Sequence, residues 1–175
     1  QLDLLSETYD IDPNDIIGKA VTIRLNYPEG GVRYWNGFIN RFVQGRSTST
    51  QFAEYRATMV PWMWFLTLTS DCRIFQDMSV PEIIKQVAED KGFSDIEERL
   101  SGSYRPLTYC VQYRETAFNF ISRLMEQEGI YYYWKQEDGK HTAVLTDVLS
   151  NHDPSDNDNY HTIEYKGETR GSSQQ

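Results

Sequence analysis

Carboxylates are the side chains here with the greatest potential for chemistry, since the sequence contains 26 Asp and Glu residues. A glycoside hydrolase needs two of them beside one substrate, one as the acid and the other as nucleophile or base. Glu126 and Glu128 lie two positions apart in a stretch with helical periodicity, so they point to different faces. Glu82 follows Ser79 by three positions in the motif SVPE, which is typical of a capping box at a helix start. The carboxylates therefore predict no catalytic pair.

Metal binding is not supported by the spacing of the three histidines, which are His141, His152 and His161. Their separations fit no zinc pattern, and no cysteine lies near them. Asp153, Asp156 and Asp158 resemble part of a calcium-binding loop, but the glycine and the terminal glutamate of that loop are absent. We interpret this stretch as a solvated acidic loop.

Nucleophilic and phosphate-binding motifs are also missing. The sequence has no G-x-S-x-G elbow to anchor a hydrolase triad, and Gly30-Gly31 lacks the lysine and serine of a P-loop. Cys72 and Cys110 lie in apolar, strand-like stretches and are too few for a disulfide framework, which predicts two buried free thiols. The residues thus predict no catalytic, cofactor-binding or metal-binding site, no cofactor, and a protein that is not an enzyme.

Charge and hydropathy exclude two further classes. Lys and Arg number 17 against 26 Asp and Glu, and the resulting net charge of -9 repels a phosphate backbone, so we predict no nucleic-acid partner. The longest apolar run, residues 60–68, contains Pro61 and is far shorter than the ~20 residues of a membrane-spanning helix. We predict no stable membrane insertion. The start at Gln1, within a strand-like stretch, favours a fragment of a longer chain.

The first half of the sequence has the two-residue period of β-strands. Residues 20–27 alternate apolar and polar side chains, and residues 33–43 and 51–60 continue as strands on either side of a polar connection over 45–50. Residues 62–75 are predicted to form another strand. This half therefore indicates an antiparallel barrel or meander.

Helical periodicity takes over in the middle of the sequence. One helix is predicted to begin after Ser79 with Pro81 in its first turn and to end near Gly92. A second is predicted over 116–128, with Gly129 as its stop. The predicted core faces are Ile83, Ile84, Val87 and Ala88 on the first helix, and Ala117, Phe120, Ile121, Leu124 and Met125 on the second.

Strands flank the second helix. Residues 109–113 precede it, and residues 130–135 and 141–147 follow it as a hairpin that turns at Asp138-Gly139. Residues 150–159 read as an exposed loop, 160–165 as one more strand, and 167–175 as a disordered tail. The predicted fold class is α+β, mainly β, with an antiparallel barrel-like domain and inserted helices. Its predicted divisions are 1–75, a first β-barrel incomplete at its N-terminus, 76–166, an α+β part, and the tail 167–175.

Three blocks in one order carry a resemblance to a known family. They are QLDLLSETYDIDPNDIIGKAVTIRL at the start, RIFQDMSVP over 73–81, and YCVQYRETAFNFISRLMEQEGIYYYW over 109–134 with the hairpin that follows. This pattern resembles the VgrG spike proteins of type VI secretion and the baseplate hub of contractile phage tails. The likeness runs over nearly the whole chain.

The resemblance implies a phage tail hub-like head of a trimeric cell-puncturing spike. In that family two barrel-like domains per subunit give the homotrimer pseudo-sixfold symmetry, which lets it cap a hexameric tube of an Hcp-like protein. Most of the second barrel, the first strand of the head, the neck and the needle are expected to lie outside this sequence, and contacts with a needle-tip protein and effectors with them. The implied location is the bacterial cytoplasm before firing, then the medium or the target cell.

Alternatives remain open from the residues alone. A prophage tail hub shares the architecture, and a carbohydrate-binding β module or a wall hydrolase of the same injection machinery would belong to other classes. The run Tyr131, Tyr132, Tyr133 and Trp134 is interpreted as two faces of a strand, one inward and one outward, with a subunit or sugar contact as the other interpretation.

Overall fold

The computed structural model describes residues 1–28, 30–45 and 51–153. Within them the chain forms nine strands and two α-helices. The strands are β1 (Leu2–Ser6), β2 (Ala20–Asn26), β3 (Val32–Gln44), β4 (Ala53–Val60), β5 (Ser70–Phe75), β6 (Ile96–Arg99), β7 (Cys110–Thr116), β8 (Tyr131–Glu137) and β9 (Lys140–Thr146). The helices are α1 (Val80–Glu89) and α2 (Ala117–Glu128), and short 3-10 turns lie at Pro13–Asp15, Trp62–Thr67 and Leu149–Asn151.

The first four strands form one antiparallel sheet in the order β1-β4-β3-β2, curled into a half-barrel. The alternating sequence over 51–60 puts Ala53, Tyr55 and Ala57 on the buried face of β4. The register of β3 against β4 shifts between Ile39 and Arg41, which bends the long strand at that point. The expected β-rich fold with antiparallel strands in this half is confirmed.

One glycine allows β3 and β4 to approach closely. A Cβ atom on Gly37 would lie 2.8 Å from the Met59 Cγ and 2.8 Å from the carbonyl oxygen of Val60. The backbone oxygen cannot move away without breaking the sheet, so only glycine fits here.

The prediction of a single strand over 62–75 is wrong for its first half. Trp62–Thr67 is a 3-10 helix that follows the extended residue Pro61, and only Ser70–Phe75 is a strand. Trp62, Met63 and Leu66 are all buried, which is a helical spacing of apolar side chains rather than a two-residue alternation. A continuous apolar run does not by itself distinguish these two structures.

Both helices form where the local sequence places them. Ser79 caps α1 in a capping box, Thr116 caps α2 by accepting a hydrogen bond from the Asn119 backbone N–H at 3.1 Å, and Gly129 ends α2 with a φ of 70°. All nine side chains predicted for the two core faces are buried. These predictions are confirmed.

The remaining strands form two small sheets. The predicted hairpin is confirmed: β8 and β9 pair antiparallel, with Gly139 in the turn at a φ of 73°. The parallel strand β6 on the other side of β9 was not predicted, since its four residues carry no clear periodicity. Among the described residues, strands β5 and β7 pair only with each other and form a two-stranded ribbon.

The main hydrophobic core lies between these small sheets and the two helices. Its buried members run from Trp62 to Leu145 along the chain and include Phe75, Phe120 and Ile121. Phe38 of the four-stranded sheet packs against this cluster, so the half-barrel is attached to the core at its edge. The division at residues 75 and 76 stays a prediction, and β5 pairs across it with β7.

Several predictions fall on residues outside the described ranges. They are the polar connection after Gly45, most of the acidic loop 150–159, the strand 160–165 and the tail 167–175. In the part of the chain that the structure describes, no helix is long and apolar enough to span a membrane.

Candidate interaction surface and polar joint

Glu82 has a structural role in the described fold. Its Oε2 accepts hydrogen bonds from the backbone N–H and from the hydroxyl of Ser79, each at 2.7 Å. These bonds lower the pKa of Glu82, the side-chain bond most, so the carboxylate stays ionised at the positive end of α1. Glu126 is exposed on α2.

The spacing of the histidines did not support a metal site, and the two that the structure describes lie apart. His141 is buried in β9, whereas His152 stacks on the rings of Tyr131 and Tyr133 at centroid distances of 5.6 and 4.5 Å. His161 lies outside the described residues. No group of three His, Cys, Asp or Glu side chains suited to a metal ion occurs among residues 1–28, 30–45 and 51–153.

Asp153 of the predicted acidic loop is exposed to solvent and makes an ion pair. Its Oδ1 lies 2.7 Å from Arg99 Nη1, and Glu97 Oε1 lies 2.6 Å from Nε of the same guanidinium. The pair with Arg99 lowers the pKa of Asp153. Asp156 and Asp158 lie outside the described residues.

The aromatic run of β8 divides between two faces, as predicted. Tyr132 and Trp134 pack against the main core, and Trp134 meets Trp62 edge to face at 5.8 Å. Tyr131 and Tyr133 lie on the opposite face, where His152 covers them. The run is therefore accounted for by packing on both sides of the strand.

The outer face of the β5–β7 ribbon is an exposed apolar surface, called here the ribbon face and made of Cys72, Ile74, Val111 and Tyr113. Ile74 is 59% exposed and Tyr113 64% exposed. They share a face because Cys72 is paired with Tyr113 and Ile74 with Val111 across the strands. An apolar, two-stranded surface of this kind is available for contact with another chain.

The ribbon face corrects the prediction for Cys72, which is exposed, while Cys110 is buried as predicted. Both thiols are free. The difference arises because the ribbon is covered by the core on one face only, and Cys72 has the opposite parity to the inward-facing Phe75. Arg114, which has a φ of 51°, follows Tyr113 at the register shift of the ribbon and lies over its ring at 5.3 Å.

Substitutions on the ribbon face are expected to leave the fold intact. Ile74→Thr keeps a β-branched side chain in the strand and Tyr113→Thr introduces one, so we expect each to change the free energy of unfolding by less than about 0.5 kcal/mol. Phe75→Ala, on the inward face of the same strand, is expected to cost about 3–5 kcal/mol. Urea denaturation followed by circular dichroism measures all three, and a loss of several kcal/mol at Ile74 or Tyr113 would show that this face is core.

Side chains of four strands meet in a cluster, called here the polar joint and made of Thr22, Asn36, Gln136 and His141, of which Asn36 and His141 are buried. His141 is 3% exposed, and its Nε2 accepts a hydrogen bond from the backbone N–H of Trp62 at 2.9 Å. Nδ1 therefore carries the proton and donates to Asn36 Oδ1 at 2.7 Å. The joint connects the half-barrel to the β8–β9 hairpin.

Asn36 is the centre of the polar joint. Its backbone N–H donates to Gln136 Oε1 at 2.7 Å, and its Nδ2 donates to Thr22 Oγ1 at 2.8 Å and to the Val21 carbonyl at 3.1 Å. Thr22 Oγ1 also accepts from the backbone N–H of Gly139 at 3.2 Å. Every polar atom of the Asn36 side chain has a partner.

Sequence reasoning considered His141 only as a metal ligand and missed this joint. The partners His141 and Asn36 are 105 residues apart, so no local pattern connects them. Burial lowers the pKa of His141, and the charge of Asp95 opposes that effect. The neutral ring is the form that these hydrogen bonds require.

Asp147, just after β9, fixes the loop that follows β6. Its carboxylate accepts hydrogen bonds from the backbone N–H groups of Ser101 at 2.9 Å and Gly102 at 2.6 Å, and from the Tyr104 hydroxyl at 2.9 Å. The backbone bond from Ser101 is the largest of the effects that lower the pKa of Asp147. Burial, with a smaller effect of Asp147, raises the pKa of Tyr104 to about 12.

Acid is expected to release this loop. Because the pKa of Asp147 is lower in the folded chain than its ordinary value of 3.8, its contribution to stability is present above pH 3.8 and is lost as the pH falls through the folded value. Asp147→Asn is therefore expected to be less stable than the parent at pH 7, with a difference that narrows below about pH 4. Urea midpoints from pH 7 to pH 3 measure this difference, and Glu126→Gln, which removes an exposed carboxylate, is the control. A difference independent of pH would contradict the prediction.

The curled half-barrel with helices inserted between strands is the fold of phage-tail-hub proteins. The chain belongs to the phage tail baseplate hub (GPD) family, whose model matches residues 1–175. The fold is similar to that of the E. coli c3393 protein, a component of the type VI secretion system with structural similarity to the T4 bacteriophage tail proteins gp27 and gp5. That likeness has a TM-score of 0.77 at 23% identity and covers 85% of this chain and 41% of the other.

Relatives of the chain include type VI secretion system spike proteins of Pseudomonas aeruginosa. The chain is 48% identical to VgrG1b over 165 residues, which is 94% of this chain, and 51% identical to VgrG1c over 152 residues, which is 87% of this chain. It spans only 22% and 21% of those two proteins. The resemblance found in the three sequence blocks is thereby confirmed.

Proposed function

We propose that this chain is the head region of the trimeric cell-puncturing spike of a type VI secretion system. In this role it caps the secreted tube and helps to deliver effectors across envelopes. The observation that carries the proposal is the identity of about half of all residues with VgrG spike proteins over nearly the whole chain. The prophage-hub alternative shares the fold, but the two secretion spikes are matched at 48% and 51% identity, which favours secretion.

The proposed mechanism is mechanical and needs no reaction centre. A contracting sheath pushes the tube, and the head transmits that force to the tip through its packed core. Supporting this proposal, 18 buried side chains form a single cluster that includes both helices and three of the strands of the small sheets. Dense packing gives such a cluster low compressibility, which suits force transmission.

The partners proposed for this head are two further copies of the chain and a hexameric tube protein of the Hcp type. The ribbon face offers exposed apolar area for contacts with another chain, with Ile74 and Tyr113 both more than half exposed. We place the protein in the bacterial cytoplasm before firing and outside the cell or in the target afterwards.

A chimera tests the proposal directly. The 152-residue stretch of VgrG1c that matches this chain is replaced by the corresponding residues of the chain, and the product is expressed in a strain without its own VgrG proteins. We expect light scattering to give three times the subunit mass, and secretion of the tube protein to return. Glu82→Gln and Glu126→Gln chimeras are expected to secrete equally well.

A folded chimera that stays monomeric and restores no secretion would contradict the proposed function. Loss of activity in either glutamate variant, with the trimer intact, would favour a hydrolase instead. In the same system Ile74→Thr and Tyr113→Thr separate contact from folding: an assembly defect with unchanged stability assigns the ribbon face to contacts between chains.

A further inference from the structure

We propose that His141 is a pH-sensitive latch that holds the half-barrel against the β8–β9 hairpin and releases it on protonation. The ring bridges the Asn36 side chain of β3 and the backbone N–H of Trp62, with distances of 2.7 and 2.9 Å. This inference is independent of the proposed function, since it concerns two parts of one chain.

Protonation is incompatible with the hydrogen bonds of the latch. Nε2 accepts the Trp62 N–H, so a proton added to Nε2 would face another donor. Nδ1 already carries a proton, which it donates to Asn36 Oδ1, so it has no free lone pair to take up a second proton. An imidazolium must therefore leave its place or force the Trp62 backbone away, and an unpaired buried donor is costly.

The surroundings of His141 offer the charged ring little compensation. The Phe38 ring from β3 lies 5.9 Å from the imidazole and the Trp134 ring from β8 lies 5.1 Å away, and neither side chain titrates. Gln136, opposite on β8, is neutral and already accepts from Asn36. Trp62 presents only its backbone N–H.

Asp95 is the group with an electrostatic effect on His141 in the part of the chain that the structure describes. It favours the imidazolium, but its Oδ1 is paired with Lys140 Nζ at 3.0 Å, which offsets part of its field. Burial outweighs it, and the pKa of His141 lies below its ordinary value of 6.5. The closed latch thus holds the neutral ring, and once the ring is released its pKa returns toward the ordinary value.

Opening would separate the half-barrel from the hairpin at one edge. Besides the latch, two hydrogen bonds of the polar joint connect these parts. One runs from the Asn36 N–H to Gln136, and the other from the Gly139 N–H to Thr22. Releasing His141 removes one partner of Asn36 and loosens the others. Helices α1 and α2 pack in the main core and are not part of this edge.

Amide hydrogen exchange of the 175-residue chain, measured by NMR between pH 8 and pH 5, tests the latch. The protection factors of the Trp62 and Asn36 amides are expected to fall about tenfold for each pH unit below about 6.5, because opening takes up one proton. Ile121 and Leu124 in α2 are expected to keep their protection over this range. Constant protection at Trp62, or an equal loss in α2, would overturn the proposal.

Two matched variants assign the effect to one ring. His141→Gln can accept from Trp62 and donate to Asn36 without titrating, so the pH dependence of Trp62 protection is expected to vanish. His152→Gln removes the other described histidine, which stacks on Tyr131 and Tyr133. This variant is expected to keep the pH dependence of Trp62 protection. Persistence of the pH dependence in His141→Gln would overturn the latch, and if that variant does not fold, the exchange data on the parent chain decide the question.

Discussion

Phe120→Ala is expected to lower the free energy of unfolding by about 3–5 kcal/mol, which is the range for removing a fully buried phenylalanine. The side chain is 0% exposed on the inner face of α2. Its ring stacks on Phe75 at a centroid distance of 5.4 Å, and the Arg123 guanidinium covers it at 5.0 Å. Alanine leaves a cavity between α2 and the ribbon that neither can fill without moving.

Urea denaturation monitored by far-ultraviolet circular dichroism measures this loss. Gln127→Ala, on the exposed side of the same helix, is the matched control, and its effect is expected to stay within about 0.5 kcal/mol. Because a typical domain has only about 5–15 kcal/mol of stability in total, Phe120→Ala is also expected to lower the yield of folded chain. A loss below 1 kcal/mol would mean that the packing between α2 and the ribbon is not as described.

Asn36→Ala is expected to cost about 2–3 kcal/mol, since it leaves buried polar groups without partners. The His141 Nδ1–H loses its acceptor, while the Val21 carbonyl and Thr22 Oγ1 lose a donor. Asn26→Ala, at the exposed end of β2, removes the same group in a solvated position and is expected to have an effect within about 0.5 kcal/mol.

A double-mutant cycle with His141→Ala separates the pair from its surroundings. If the two side chains depend on each other as the 2.7 Å contact indicates, the double variant is less destabilised than the sum of the single ones, by about 0.5–3 kcal/mol. Simple additivity would mean that Asn36 stabilises the fold through Val21 and Thr22 and not through His141.

Local signals explain which elements could be predicted. A helix is marked by residues within one or two turns of its ends, so Ser79 and Pro81 were enough to place the start of α1 and Gly129 the end of α2. The hairpin turn at Asp138-Gly139 is equally local. The apolar stripes of the helices also identified their buried faces, because the side-chain period of a helix is independent of what covers it.

Burial of the strands was less predictable than their existence. Alternation shows that a strand has two different faces but does not show whether a layer covers the second one. Cys72 and Ile74 lie in an apolar stretch and are nevertheless exposed, because the ribbon, in the part of the chain that the structure covers, has two strands and one covered side. Residues 62–66 are all apolar, a run that fits a strand or a helix, and in the fold Trp62–Thr67 is a 3-10 helix that packs against α2.

The sequence by itself determined the fold class, the two helices, the hairpin and, through three ordered blocks, the resemblance to tail hubs and spike proteins that the family match confirms. Only the tertiary structure decided the polar joint, the ribbon face and the parallel pairing of β6 with β9. The physical reason is the distance along the chain over which each interaction acts. Caps, turns and periodicity depend on neighbours within a few residues, whereas the contact between Asn36 and His141 joins positions 105 residues apart and exists only once the sheets have packed.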